Sequence, residues 1–261
     1  MRKRALSFII ATFVSFPLLA RTNDLTLPVL GHLALPSVTY TSEISITNNR
    51  GVDQLVRVDW LGRDGAGSRE NAAMRTIPAK MTTFDRGGLI FEILGINNYG
   101  MGAVRFVAVD AKGNVDPDAD LDATAYIVAY RPGGSSSRQE IEAVPSSDYH
   151  ADRQTLYAIR DDEFTRTNIG LVNLDKTQTR HFTIDAYPAT ERMEVDVPPM
   201  SMRQLPLAVG EHRSGVSFLS VTPDALALSS GGWVTYASSV DSTTGDAWTA
   251  RRVPLGYRFN P

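Results

Sequence analysis

Apolar and polar residues alternate along most of the chain in short runs that break at Gly, Asn, Asp and Pro. A period of two marks half-buried strands, whereas an amphipathic helix would repeat its apolar positions every three or four residues. In the first half, Ile44 and Ile46 share one side of a strand, and Asn48-Asn49-Arg50-Gly51 supplies turn residues that tolerate positive φ. Val56, Val58 and Trp60 then line the next strand. In the second half Ile169 and Leu171, a turn from Asn173 to Thr177, and Phe182, Ile184 and Ala186 follow in the same order. The same hairpin-like unit is written twice.

The match runs further along both halves. "IPAKM" at 77–81 corresponds to "VPPMS" at 197–201, with proline fixing the backbone where a strand begins or ends. The strand Gly102-Ala103-Val104-Arg105-Phe106 aligns with Gly215-Val216-Ser217-Phe218-Leu219, and "AYIVAY" at 125–130 aligns with "WVTYAS" at 233–238. Each half closes on a Val-Pro pair, Val144-Pro145 and Val253-Pro254. Units of roughly 100–120 residues with many short strands match a two-sheet sandwich. The expected fold is therefore all-β: two tandem immunoglobulin-like antiparallel β-sandwich domains, at 26–145 and 153–255, after an N-terminal signal peptide. "DRGGLIFEILG" at 85–95 carries apolar residues at helical spacing and predicts a short helix between strands. A solvated linker within "PSSDYHADR" at 145–153 is expected to let the two halves fold independently and move relative to each other.

"RTNIGLVN" at 166–173 and "YASSVDSTTGDAW" at 236–248 carry a resemblance. The pair of halves resembles the tandem β-sandwich repeats of poorly characterised secreted bacterial families, over nearly all of the chain that follows the leader. In such proteins a "TN-apolar-x-apolar-x-N" strand opens a unit and a "Y-x-S-x-V-x-x-x-x-G-D" segment closes it. The first half departs from that pattern, with "SEISITNN" lacking the Thr-Asn start and "YIVAYRPGGSS" replacing the Gly-Asp turn. The resemblance implies an extracytoplasmic fold and hands over no catalytic residues.

The N-terminus changes the picture next. "MRKRALSFIIATFVSFPLLA" places three cations before a short apolar run and ends on a small residue, the layout of a secretory signal peptide cleaved after Ala20. The run is short for a bilayer span, and Pro17 interrupts it. The expected location is extracytoplasmic, periplasmic or secreted, with no membrane span after cleavage. Removing Arg2, Lys3 and Arg4 from the 26 basic residues leaves 23 against 29 acidic ones, about −6. That acidity argues against nucleic acid as a partner, because phosphate binding needs concentrated Lys and Arg. Cysteine is absent, which removes disulfides, thiolate metal sites and cysteine nucleophiles.

Candidate chemistry is sparse. Asp116, Asp118, Asp120 and Asp122 in "DPDADLD" offer hard oxygen ligands at alternating positions, a calcium-type donor set. The glycine of an EF-hand turn is missing, Ile127 stands where its bidentate glutamate would be, and Pro117 restricts the backbone. A solvated acidic loop is the competing reading. No other cofactor is expected. His32, His150, His181 and His212 lack metal-ligand spacing, no G-x-S-x-G elbow is present, and "GRDGAGS" at 62–68 lacks the Gly-Lys ending of a phosphate loop. Asp161, Asp162 and Glu163 read as the solvated start of a strand rather than an acid/base pair. Trp60 and Trp233 fall in alternating strands, where burial is expected, whereas Trp248 follows Gly245-Asp246 and is the exposed candidate for ligand binding.

No catalytic residue is expected. The sequence reads as a non-enzymatic, exported structural or interaction protein that displays loops to a protein or a cell-envelope component. A periplasmic assembly chaperone is one alternative, since "TSEISITNN" and "YRPG" faintly resemble the pilus-chaperone family, which offers an edge strand to its client. A carbohydrate-binding module is another, and it would use Trp248.

Overall fold

The computed structural model describes residues 22–63, 72–86, 94, 100–149, 152–160, 162–188, 192–207, 218–224 and 231–250. The expected signal peptide, Val253-Pro254 and most of the expected helix at 85–95 lie outside them. Of that helix, Asp85 and Arg86 belong instead to a strand and Leu94 to a turn. The described elements are strands plus one 3-10 turn, Ser146–Asp148. No helix among the described residues is long and apolar enough to cross a membrane.

The first half contributes β1 (Asp24–Gly31), β2 (Leu33–Leu35), β3 (Val38–Asn48), β4 (Gln54–Gly62) and β5 (Ala72–Ile77). It continues with β6 (Thr82–Arg86), β7 (Met101–Val109), β8 (Leu121–Tyr130), β9 (Ser136–Glu142) and β10 (Val144–Pro145). These pair antiparallel in two sheets, β10-β1-β7-β4-β5 and β2-β3-β8-β9, with β6 also bonded to β3. The second half contributes β11 (Gln154–Tyr157), β12 (Thr165–Asn173), β13 (Arg180–Tyr187) and β14 (Arg192–Val197). Then follow β15 (Ser201–Pro206), β16 (Phe218–Pro223), β17 (Trp233–Asp241) and β18 (Ala247–Ala250), in sheets β11-β16-β13-β14 and β15-β12-β17-β18. With β2 and β10 set aside, the strand order repeats: β1-β7-β4-β5 matches β11-β16-β13-β14, and β6-β3-β8-β9 matches β15-β12-β17-β18.

One device locks the corner after β3 and the corner after β12. Asn48 is buried at the end of β3, and its Nδ2 donates to the carbonyls of Val52, Ile77 and Pro78 at 2.8, 3.1 and 3.3 Å. Asn173 is buried at the end of β12 and donates to Gln178, Val197 and Pro198 at 2.8, 2.9 and 3.1 Å. Lys80 and Met200 each follow those prolines in a left-handed conformation, φ 58° and 47°. The Lys80 N–H donates to Arg50 and the Met200 N–H to Asp175, both at 2.9 Å. The two Pro-containing segments are thus the same corner, held by a side chain that donates to carbonyls on both sides of the turn.

Strand pairing also corrects two alignments: Val58 faces Phe106 and Ile184 faces Val221, so Phe106 matches Val221, two residues beyond the expected Leu219. Asn48 faces Leu121 and Asn173 faces Trp233, so the strand starting at Trp233 matches the one starting at Leu121, not "AYIVAY" at 125. Matching by aromatic content failed because inward positions in the two halves exchange aromatic for aliphatic residues.

Inward residues behave as the alternation predicts. Ile44, Ile46, Val56, Val58, Trp60 and Phe106 meet in one core, and Ile169, Leu171, Phe182, Ile184, Leu219 and Trp233 in another. Phe182 and Trp233 pack with ring centroids 5.0 Å apart. Arg180 stands where the first half has Gln54. It is 1% exposed, with Asp175 3.7 Å away, and Nη2 donates to the Gly231 carbonyl. Burial pulls the guanidinium pKa down, and the Asp175 charge acts against that.

The seam between the halves differs from the expected solvated linker. Val172, Met202, Val234 and Tyr236 face away from the second core and join the first, together with Leu61 and Ala103. β15 contacts β4 and β7, and β1 contacts β12 and β17. Strands buried on both faces read as nearly continuous apolar runs, as "GLVNL" and "WVTYA" do. Tyr149 then pins the connection. Its hydroxyl donates to Asp24 Oδ1 at 3.0 Å and shares a hydrogen bond with Thr26 Oγ1 at 2.7 Å, while its Cβ crowds Gly232 of the second half. Asp24 also binds Arg105 through both carboxylate oxygens. Burial disfavours the Arg105 charge, but Asp24 more than offsets it and holds the pKa above the usual range. Burial, with Asp24 beside it, likewise raises that of Tyr149. The Pro-Ser-Asp composition read as a tether because it omits this docked aromatic residue.

Candidate functional site

Strand β9 ends one sheet of the first half and β18 ends one sheet of the second, and the two edges come together at the seam. Gln139 of β9 bridges them: its Nε2 donates to Thr249 Oγ1 at 3.0 Å, and its Oε1 accepts from Ser238 Oγ at 3.0 Å. Thr249 Oγ1 in turn donates to the Glu140 carbonyl at 3.0 Å, satisfying an edge group that lacks a strand partner. The adjacent turns also touch. A Cβ on Gly245 would lie 2.2 Å from the Arg131 guanidinium, and Gly245 itself has φ 78°.

Beside this bridge opens a cleft of about 540 Å³, within the range of ligand sites. Trp248, Val144 and Pro145 supply apolar walls, and Glu140, Glu142 and Asp148 supply carboxylates. The Trp248 indole N–H donates to the Ala158 carbonyl at 3.2 Å, with Ala158 at φ 59°. The ring is therefore held in place by a residue ninety positions away. Glu140 and Glu142 alternate with inward Gln139 and Ile141, so both are exposed. No ion pair forms with either among the described residues.

Trp248, singled out in the sequence, thus lines the cleft, while Trp60 and Trp233 are 4% and 0% exposed in the cores. Glu140 and Glu142 were not singled out. "RQEIE" carries an alternation of inward and outward positions, but nothing local says that another strand lies alongside.

The aspartate loop is occupied with its own structure. Asp116 Oδ2 accepts from Arg50 Nη1 at 2.7 Å and its Oδ1 accepts from the Asp118 N–H at 2.9 Å. The Asp120 carbonyl accepts from the Asn49 N–H, and Asp122 is the exposed second residue of β8. No group of three or more ligating side chains is arranged to hold a metal ion among the described residues. Asp162 accepts from Arg160 Nε at 2.7 Å and from the Phe164 N–H at 2.9 Å, so it shapes the turn into β12. The Arg160 hydrogen bond holds its carboxyl below the usual range. Asp161 and His150 lie outside the described residues.

A second feature escaped the sequence reading. Tyr157, Phe218 and Tyr187 stand side by side on the outer face of β11, β16 and β13. Centroids lie 5.8 Å apart for Tyr157–Phe218 and 4.6 Å for Tyr187–Phe218, the latter pair within 9° of parallel. The rings face one another, so this column covers the sheet rather than presenting an open stacking platform.

No protein-family model matches the chain, and no curated protein or solved structure matches it either.

Proposed function

We propose that the chain is an exported, non-enzymatic structural or interaction protein. In this reading it consists of two tandem immunoglobulin-like sandwich domains that present loops and a shared cleft to a protein or cell-envelope component. The observation that supports it most is the seam cleft, to which both halves contribute and whose walls are fixed by Gln139, Thr249 and the Trp248–Ala158 hydrogen bond. Rigid sheets carrying a recognition surface at edges and loops are a common use of this architecture. Export rests on the leader at 1–20.

An assembly chaperone fits the cleft less well, because carboxylates line it where paired cations would be needed. A carbohydrate-binding module draws support from Trp248 at the cleft wall. The test has two arms. Mass spectrometry of the extracytoplasmic fraction is expected to find a chain beginning after Ala20. A photo-cross-linking residue in place of Glu142 is expected to capture a defined partner that the same residue in place of Thr183, on a remote sheet face, does not. An uncleaved chain confined to the cytoplasm, or equal capture at both positions, overturns the reading.

A further inference from the structure

We propose that the seam cleft binds an extended peptide carrying arginine or lysine at alternating positions. This rests on the interaction-protein reading above and adds the chemistry of the partner.

Charge is the first argument. Glu140 and Glu142 line the cleft without a described cation paired to either. Alternate residues of a strand lie roughly 7 Å apart on one side, the same repeat at which an extended peptide presents its own side chains. A peptide laid along β9 therefore meets both carboxylates with residues two apart.

The second argument is the aromatic wall. Trp248 has its N–H committed to Ala158, so what remains for a ligand is the π surface, the part of indole that attracts cations most strongly.

The third is that this chain already holds guanidinium groups by the same combination. Arg138 lies 3.7 Å from the Tyr126 ring centroid and 2.8 Å from Glu43. Arg105 lies 5.8 Å from the Tyr149 ring and binds Asp24. An aromatic face beside a carboxylate suits a guanidinium, which takes up both at once. A neutral sugar would use the ring but leave two carboxylates partly desolvated without counter-charge, and a phosphate backbone would be repelled.

The experiment titrates the full chain with two synthetic peptides of equal length, one alternating Arg and Val, the other Glu and Val. It is followed by calorimetry and by tryptophan fluorescence. The Arg peptide is expected to bind, more weakly at high salt, and the Glu peptide not to bind. Glu140→Gln with Glu142→Gln should weaken binding at least tenfold, and Trp248→Ala should weaken it and abolish the fluorescence change. Glu194→Gln with Asp196→Asn, remote exposed carboxylates, should leave it unchanged. Equal weakening by that remote pair would reveal general attraction to an acidic chain and overturn the proposal. So would equal binding of both peptides, or binding of a neutral oligosaccharide through Trp248 with no peptide binding. Failure here leaves the cross-linking result above standing, so the ligand chemistry and the wider reading fail separately.

Discussion

Gly170 of β12 lies directly opposite Tyr236 of β17, and the tyrosine ring covers it so closely that a Cβ there would sit 1.8 Å from Cε1. The segments "TNIGLVN" and "YASSV" meet at this pair. A ring laid over a cross-strand glycine supplies the packing that glycine lacks. Gly170→Ala must push the ring out of the seam and is expected to destabilise by at least about 2 kcal/mol. Adding Tyr236→Leu should recover part of that loss. A double-mutant cycle by urea unfolding checks the coupling, and additive losses would show that the contact carries no energy.

Tyr149 links the connection to the first half through hydrogen bonds to Asp24 and Thr26. Tyr149→Phe is expected to cost about 1–2 kcal/mol, and Asp24→Asn about 2–4 kcal/mol because Arg105 loses its anion in a mostly buried place. Because the halves share a core across the seam, native unfolding is expected to be one transition. Differential scanning calorimetry checks it: two resolved transitions in the native chain, rather than only in Tyr149→Ala, would contradict a packed seam.

The twin asparagine corners give a paired prediction. Asn48→Ala and Asn173→Ala each strip donors from buried carbonyls and are each expected to cost about 1–3 kcal/mol. Lys80→Gly, exposed and at φ 58°, should be neutral or stabilising by up to about 1 kcal/mol. Chemical denaturation separates these outcomes, and a strongly destabilised Lys80→Gly would refute the left-handed corner.

His181 Nδ1 donates a 2.8 Å hydrogen bond to the Asp196 carboxylate, which raises its pKa, with Glu194 and Asp224 adding in the same direction. A group whose folded pKa is raised stabilises fully below its ordinary value near 6.5, and that contribution is lost as pH rises through the folded value. Native chain should therefore melt slightly above His181→Gln at pH 5.5, and the difference should vanish by pH 9. The groups are exposed, so the effect is small and falls with salt. A gap that grows with pH would reverse the assignment.

Strand content, the inward positions Ile44, Ile46, Ile169 and Leu171, and the paired Pro corners were legible because a period of two and a proline are local facts. Trp248 stood out for the same reason, following a Gly-Asp turn. What local pattern cannot encode is which outer face another sheet will cover. Val172, Val234 and Tyr236 stand in nearly continuous apolar runs, yet nothing in those runs says that the first half's core is what covers them. The cleft depends on that same packing: Gln139 meets Thr249 across 110 residues, and only this meeting turns Glu140 and Glu142 from surface acids into the lining of a shared site. Sequence alone determined the strands and their inward faces, through side-chain alternation. Tertiary structure alone decided the seam, because burial of a second face is a property of contacts between distant segments.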